Sequence, residues 1–241
     1  MMATAGRQVR IENTTPALDM EGVVREHGVG QVQVTAVREA SLRISRGEVV
    51  VVYGPSGAGK SSLLQIAGCL SEPTRGAVRV DGNDVVGIGA KRRADLRLRS
   101  IGYVFQEYNL LSVLTALENT ALPLEIEGTR RARQRALTAL EELGIAELAD
   151  RYPGQMSGGQ RQRVAIARAL IGSRRLVVAD EPTGALDSVS SRAVRDALVG
   201  RAREHGAGVL IGTHDQQWST LADRVLVMRD GVLGQDRKDP L

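Results

Sequence analysis

Val49-Val50-Val51-Val52-Tyr53 runs straight into Gly54-Pro55-Ser56-Gly57-Ala58-Gly59-Lys60-Ser61. That junction restricts the possible folds more than any other stretch of the chain. A continuous β-branched run suits a strand buried on both faces of a parallel sheet. The eight residues behind it fit G-x-x-x-x-G-K-[ST]. Glycines in that pattern let backbone N–H groups close around phosphate oxygens at the start of a helix, whose dipole favours anions. The lysine is informative by itself, because the chain has only Lys60, Lys91 and Lys238 and otherwise uses arginine. A planar guanidinium does not replace a compact ammonium at such a position.

The flanking pattern extends this start into a fold. Residues 1 to about 16 are polar and non-periodic, and form an extension. Ala17–Val24 and Gln31–Val37 read as strands around a His27-Gly28 turn, followed by a short strand at Ser41–Ile44. Ala77–Val80 with the Asp81-Gly82 turn adds a hairpin edge, which gives an N-terminal antiparallel β subdomain. The glycine loop continues as a helix over Lys60–Cys69. From about Ala90 to Gln155 the chain turns to helices rich in Leu, Ala, Arg and Glu, with a stripe at Leu137, Leu140 and Leu143 and a stop at Gly144. We read residues 90–157 as an inserted helical subdomain. Beyond it, helices at Gln160–Ile171 and Ser190–Glu204 alternate with strands at Leu176–Ala179, Val209–Gly212 and, last, Val225–Met228. Alternation of this length predicts crossover connections and a mostly parallel sheet. The expected fold is α/β, a P-loop NTPase in one domain over residues 17–241.

Three motifs carry chemistry. Lys60 is placed to reach the β- and γ-phosphates of a nucleotide, and the Ser61 hydroxyl to ligate Mg²⁺. Leu176-Val177-Val178-Ala179-Asp180-Glu181 ends a strand in two acids. Ligands of parallel sheets lie beyond the C-terminal strand ends, so Asp180 would face the same Mg²⁺. Glu181, one step further, is placed to act as general base on a water. In Ser157-Gly158-Gly159-Gln160, Ser157 is an N-cap. Its hydroxyl and the two glycine amides make a second anion site at a helix start.

Composition excludes several other classes. The net charge is only +4, the acids are spread through the chain and aromatics are 2%, which argues against a stacking surface for single-stranded nucleic acid. Cys69 is the single cysteine and reads as a small buried helix residue. His27, His205 and His214 are too scattered for a metal cluster. No run approaches the roughly 20 apolar residues needed to cross a bilayer. No apolar segment follows Arg7 and Arg10, so no secretory signal is read there. A cytoplasmic location follows, and any membrane role requires a partner.

From about Ala17 onward the chain resembles the nucleotide-binding subunit of ATP-binding-cassette transporters. In that family two subunits sandwich two ATP molecules head to tail, and the signature loop of one caps the γ-phosphate held by the P-loop of the other. The resemblance implies nucleotide contacts at Gly54, Pro55, Ser56, Gly57, Ala58, Gly59, Lys60, Ser61 and Ser62. It implies a second set at Ser157, Gly158, Gly159 and Gln160. Gln106, in Tyr103-Val104-Phe105-Gln106, matches the loop that links nucleotide and metal to the transmembrane partner. Ala185-Leu186-Asp187 matches the loop that communicates across the dimer. His214, in Thr213-His214-Asp215, matches the switch histidine at the γ-phosphate. The implied metal ligands are Ser61, Gln106 and Asp180.

Thr115-Ala116-Leu117-Glu118-Asn119, Leu122-Pro123-Leu124 and the segment Asp180–Asp187 are similar to the macrolide-efflux and lipoprotein-release exporter ATPases. That group works with a separate permease, and transmits motion across the membrane. The resemblance therefore implies ATP and Mg²⁺ as ligands, a homodimer in the ATP-bound state, an integral membrane permease as partner and a peripheral position on the inner face of the membrane. No nucleic acid is implied. A regulator that signals through its permease uses the same parts, and so does a DNA-repair ATPase, although the latter carries long coiled coils or zinc modules. The chain departs from the family twice. Met156 stands where the signature usually begins with leucine, a near-isosteric change. His27 stands where an aromatic stacks on adenine, which predicts weaker base stacking and less preference for ATP over GTP.

Overall fold

The computed structural model describes residues 15–28, 33–184, 186 and 188–235. Its strands are β1 (Leu18–His27), β2 (Val34–Ile44), β3 (Val49–Tyr53), β4 (Arg75–Val80), β5 (Asn83–Asp84), β6 (Ile101–Val104), β7 (Leu176–Asp180), β8 (Gly208–Thr213), β9 (Arg224–Arg229) and β10 (Val232–Gln235). The α-helices are α1 (Lys60–Ala67), α2 (Gly89–Ser100), α3 (Ala116–Ile126), α4 (Ala132–Glu142), α5 (Gly158–Leu170) and α6 (Ser188–Glu204). Two sheets result. The antiparallel one runs β2-β1-β4-β5, and the six-stranded one runs β10-β9-β3-β8-β7-β6. In the larger sheet only β10 is antiparallel to its neighbour.

Strand β3 lies in the middle of the larger sheet because it is apolar on both faces. Alternate side chains of a strand point to opposite sides. Val50 and Val52 join Leu63, Leu64, Val178 and Leu210 in a layer shared with α1 and the antiparallel sheet. Val49 and Val51 join Val164, Ile166, Val177, Ile211 and Leu198 in the layer under α5 and α6. All four valines are fully buried, each contributing about 1.5–3 kcal/mol relative to exposure.

The fold corrects the sequence reading in four places. The two strands expected at 31–37 and 41–44 are one strand, β2, with Gln31 and Val32 outside the described residues. Glu39, at φ 50°, sits where the pairing with β1 shifts register, so the polar pair Arg38-Glu39 breaks the alternation without ending the strand. The stretch 90–155 is not all helical, because β6 pairs with β7 at the edge of the parallel sheet. Val225–Met228 is not the last strand, since the Asp230-Gly231 turn leads into β10. Cys69 is buried, but lies in the left-handed turn after α1 (φ 56°), where burial pushes its thiol up to about 12. Among the described residues, no helix is long and apolar enough to cross a membrane.

Candidate active site

Four neighbouring strands deliver the candidate groups to one edge of the sheet. In spatial order, β6 leads to Gln106, β7 to Asp180 and Glu181, β8 to Thr213 and His214, and β3 to the glycine loop. The registers Asp180↔Gly212 and Tyr53↔Thr213 bring these ends level. They enclose a cavity of about 370 Å³, lined among others by Gly57, Lys60, Ser61, Gln106, Asp180, Glu181 and His214. Pro55, Ser56, Gly59 and Ser62 line the same cavity.

The glycines of the loop are required by contact as well as by conformation. A Cβ on Gly54 would lie 2.3 Å from the Met228 carbonyl oxygen, and one on Gly59 would lie 2.1 Å from that of Ala36. Gly59 is also left-handed, with φ 102°. The loop is pinned from outside, because Gly231 N donates to Ala58 O at 3.0 Å and Arg38 N donates to Gly231 O at 2.7 Å. Lys60 is 7% exposed. Its Nζ donates to Gly54 O at 2.6 Å and to Pro55 O at 3.1 Å, and lies 3.6 Å from Glu181 Oε1. The ammonium thus spans the loop mouth, where a phosphate can replace two neutral carbonyls.

Asp180 is 9% exposed, and its Oδ1 has no hydrogen-bond partner among the described residues. Burial raises its carboxyl above the usual range, against the hydrogen bond donated by the Ser61 hydroxyl. A buried, unpartnered carboxylate oxygen beside a hydroxyl is the donor set of a hard, oxygen-seeking cation. Magnesium fits these residues.

Glu181 occupies left-handed backbone at φ 44°. Its Oε1 lies 3.0 Å from His214 Nδ1, and its Oε2 accepts from Thr213 Oγ1 at 2.9 Å. Thr213 Oγ1 also accepts from Asp215 N at 3.1 Å. Asp215 in turn pairs with Arg195 at 3.4 Å and lies 3.5 Å from the Thr183 hydroxyl. Trp218 Nε1 donates to Thr183 Oγ1 at 3.2 Å in full burial. Thr183, Arg195, Thr213, Asp215 and Trp218 were not among the candidates from sequence. They form the support beneath Glu181 and His214.

Ser157 caps α5 as expected, and does so reciprocally. Its Oγ accepts from Gln160 N at 3.3 Å, and its N donates to Gln160 Oε1 at 2.8 Å. This capping box leaves the Gly158 and Gly159 amides, in the first turn, without intrahelical acceptors. Met156 is buried in the layer under α5. None of Ser157, Gly158, Gly159 and Gln160 lines the cavity at Lys60. His27, at the end of β1, is exposed with Nε2 3.3 Å from Ser62 Oγ. Asp187 lies outside the described residues.

A phosphate cradle, a buried carboxylate with a hydroxyl beside it and an acid–imidazole pair, all at the C-terminal edge of a parallel sheet, define a P-loop nucleoside triphosphatase. The family described as ABC transporter matches residues 37–184. A lipoprotein-releasing system ATP-binding protein of Hyphomonas neptunium is 42% identical over 220 residues, covering 90% of this chain and 96% of that protein. A macrolide export ATP-binding/permease protein of Escherichia coli K12 is 44% identical over 221 residues, covering 91% of this chain and 34% of that protein. The chain thus spans about a third of that relative's length. An ATP-binding cassette solved as a dimer, in a post-hydrolysis state bound to ADP and Pi, has a TM-score of 0.84 at 36% identity, covering 92% of this chain and 100% of that one. The chain belongs to the ABC transporter family and is an ATPase of that family.

Proposed function

We propose that the chain is the ATP-hydrolysing subunit of an exporter or mechanotransmitter, and that two copies close around two Mg-ATP to drive a separate permease. The observation that carries this reading is the separation of the two anion-reading helix starts. One, at Lys60, lines the nucleotide cavity, and the other, at Ser157, does not. A second chain turned head to tail would bring Gly158 and Gly159 to the first chain's γ-phosphate.

Lys60 then exchanges the carbonyls of Gly54 and Pro55 for phosphate oxygens. Ser61, Asp180 and Gln106 would hold magnesium, which would supply neutralisation of phosphate charge. Glu181 takes a proton from the attacking water as the bond between the γ-phosphorus and its bridging oxygen breaks and ADP leaves. His214 orients Glu181 and the γ-phosphate. His27 meets the base.

The permease is assigned to the apolar surface beside the Gln106 loop, where Leu111 and Val113 are exposed, the latter at 78%. The chain is then peripheral on the inner face of the membrane.

Glu181→Gln tests the scheme. It should hydrolyse ATP at under about a hundredth of the wild-type rate and run as a dimer in gel filtration with Mg-ATP. A Glu181→Gln monomer with normal hydrolysis would overturn it.

A further inference from the structure

The segment from Gln106 to Thr115 contains no helix or strand, yet it is fastened at both ends. Asn119 of α3 is fully buried. Its amide nitrogen lies 3.0 Å from each of Leu111 O, Leu114 O and Thr115 O, which share its two N–H groups, and its oxygen accepts from Leu111 N at 2.8 Å. Nearer Gln106, Tyr108 and Asn109 follow each other at φ 62° and 49°. A bulky residue in the left-handed region is unusual and needs outside support. That support comes from α5. Arg168 Nη2 donates to Tyr108 O at 2.8 Å, and Nη1 donates to Asn109 O at 2.6 Å. Arg161, seven residues earlier and so on the same face of α5, places its guanidinium 5.2 Å from the Tyr108 ring centre. Among the described residues no carboxylate pairs with Arg168, so its fork is committed to these two carbonyls.

We infer that Arg168 is a positioning residue that fixes the backbone beside Gln106 to the helix beginning at Ser157, so that the two half-sites of one chain move together. The inference rests on the reading that Gln106 serves the chain's own nucleotide and Ser157 that of its partner. A guanidinium fork can hold two successive carbonyls, which a lysine ammonium cannot copy.

The test uses the full chain carrying Arg168→Met, Arg168→Lys, or Arg168→Met with Asn109→Gly. The readouts are ATP hydrolysis against ATP concentration, ADP affinity, thermal stability and amide exchange over residues 107–110. Arg168→Met should keep ADP affinity within about twofold while kcat falls about tenfold and its dependence on ATP loses cooperativity. Exchange at 107–110 should rise about tenfold or more. Arg168→Lys should fall between the two, and carries the test if the methionine variant unfolds. Glycine accepts left-handed backbone unaided, so Asn109→Gly should restore protection at 109 without restoring the rate. The proposal is overturned by wild-type rate and exchange in Arg168→Met, or by full recovery of rate with Asn109→Gly. A wild-type chain that neither hydrolyses ATP nor dimerises would sink the functional reading, and the exchange data would still judge the clamp.

Discussion

Glu181 and His214 leave neighbouring parallel strands and meet just beyond their ends, with Glu181 Oε1 3.0 Å from His214 Nδ1. Glu181 reaches this point from left-handed backbone, which costs about 1–2 kcal/mol for a residue with a side chain. The surrounding bonds must hold it there. Thr213 contributes most directly, since one hydroxyl donates to Glu181 and accepts from the Asp215 amide.

Thr213→Val therefore removes a donor from Glu181 and an acceptor from Asp215 in a fully buried position. Leaving such groups unmet costs about 1–3 kcal/mol. We expect a loss of stability of that size, a kcat lowered about tenfold and unchanged ADP affinity. Thr213→Ser should retain most of both. Denaturant unfolding and steady-state hydrolysis measure these separately, and a well-folded Thr213→Val with wild-type kcat would remove Thr213 from the support of Glu181.

His27→Tyr addresses the proposed base end of the nucleotide site. The imidazole lies 3.3 Å from Ser62 at the start of α1, and a phenol ring there offers a larger stacking face. Base–aromatic stacking contributes about 1–3 kcal/mol. We expect tighter ATP binding and greater discrimination against GTP, read by competition between the two nucleotides. Equal affinities and an unchanged ATP/GTP ratio in the variant would show that the base does not sit on residue 27.

The capping box that starts α3 predicts a pH dependence. Thr115 Oγ1 accepts from Glu118 N, and Thr115 N donates to the Glu118 carboxylate. The backbone hydrogen bond from Thr115 holds the Glu118 carboxyl below the usual range. The folded value is depressed, so the contribution is present above the unfolded value and is lost as pH falls through the folded one. Glu118→Gln should flatten that part of the acid limb of a stability–pH curve and leave its neutral limb little changed. Thr115→Ala, which also removes the cap, should cost about 1 kcal/mol at neutral pH. Melting curves between acidic and neutral pH check both.

Much of this arrangement can be read from local sequence. The β3 run, the glycine loop, the β7 acids and the Ser157 cap are legible because each function fixes residue types at adjacent positions. What escapes is spread along the chain. Thr183, Arg195, Asp215 and Trp218 support one another across separations of 20 to 35 residues, and no local pattern announces them. β6 escapes for another reason: it is four residues long and contains Gly102. That glycine is explained only by packing, since a Cβ there would lie 2.0 Å from the Ala169 carbonyl oxygen of α5. β10 escapes because its short segment holds a glycine and a glutamine.

The reciprocal bonds between Ser157 and Gln160 also bear on how fast two such chains can meet. Surface loops that must be ordered on contact slow association and weaken it by the entropy they lose. This first turn of α5 is locked inside the single chain by the reciprocal bonds of Ser157 and Gln160. In the proposed head-to-tail pair, its encounter with an opposing nucleotide would therefore be a collision of preformed surfaces. In the proposed pair, the anion between the two chains would then set the lifetime of the contact.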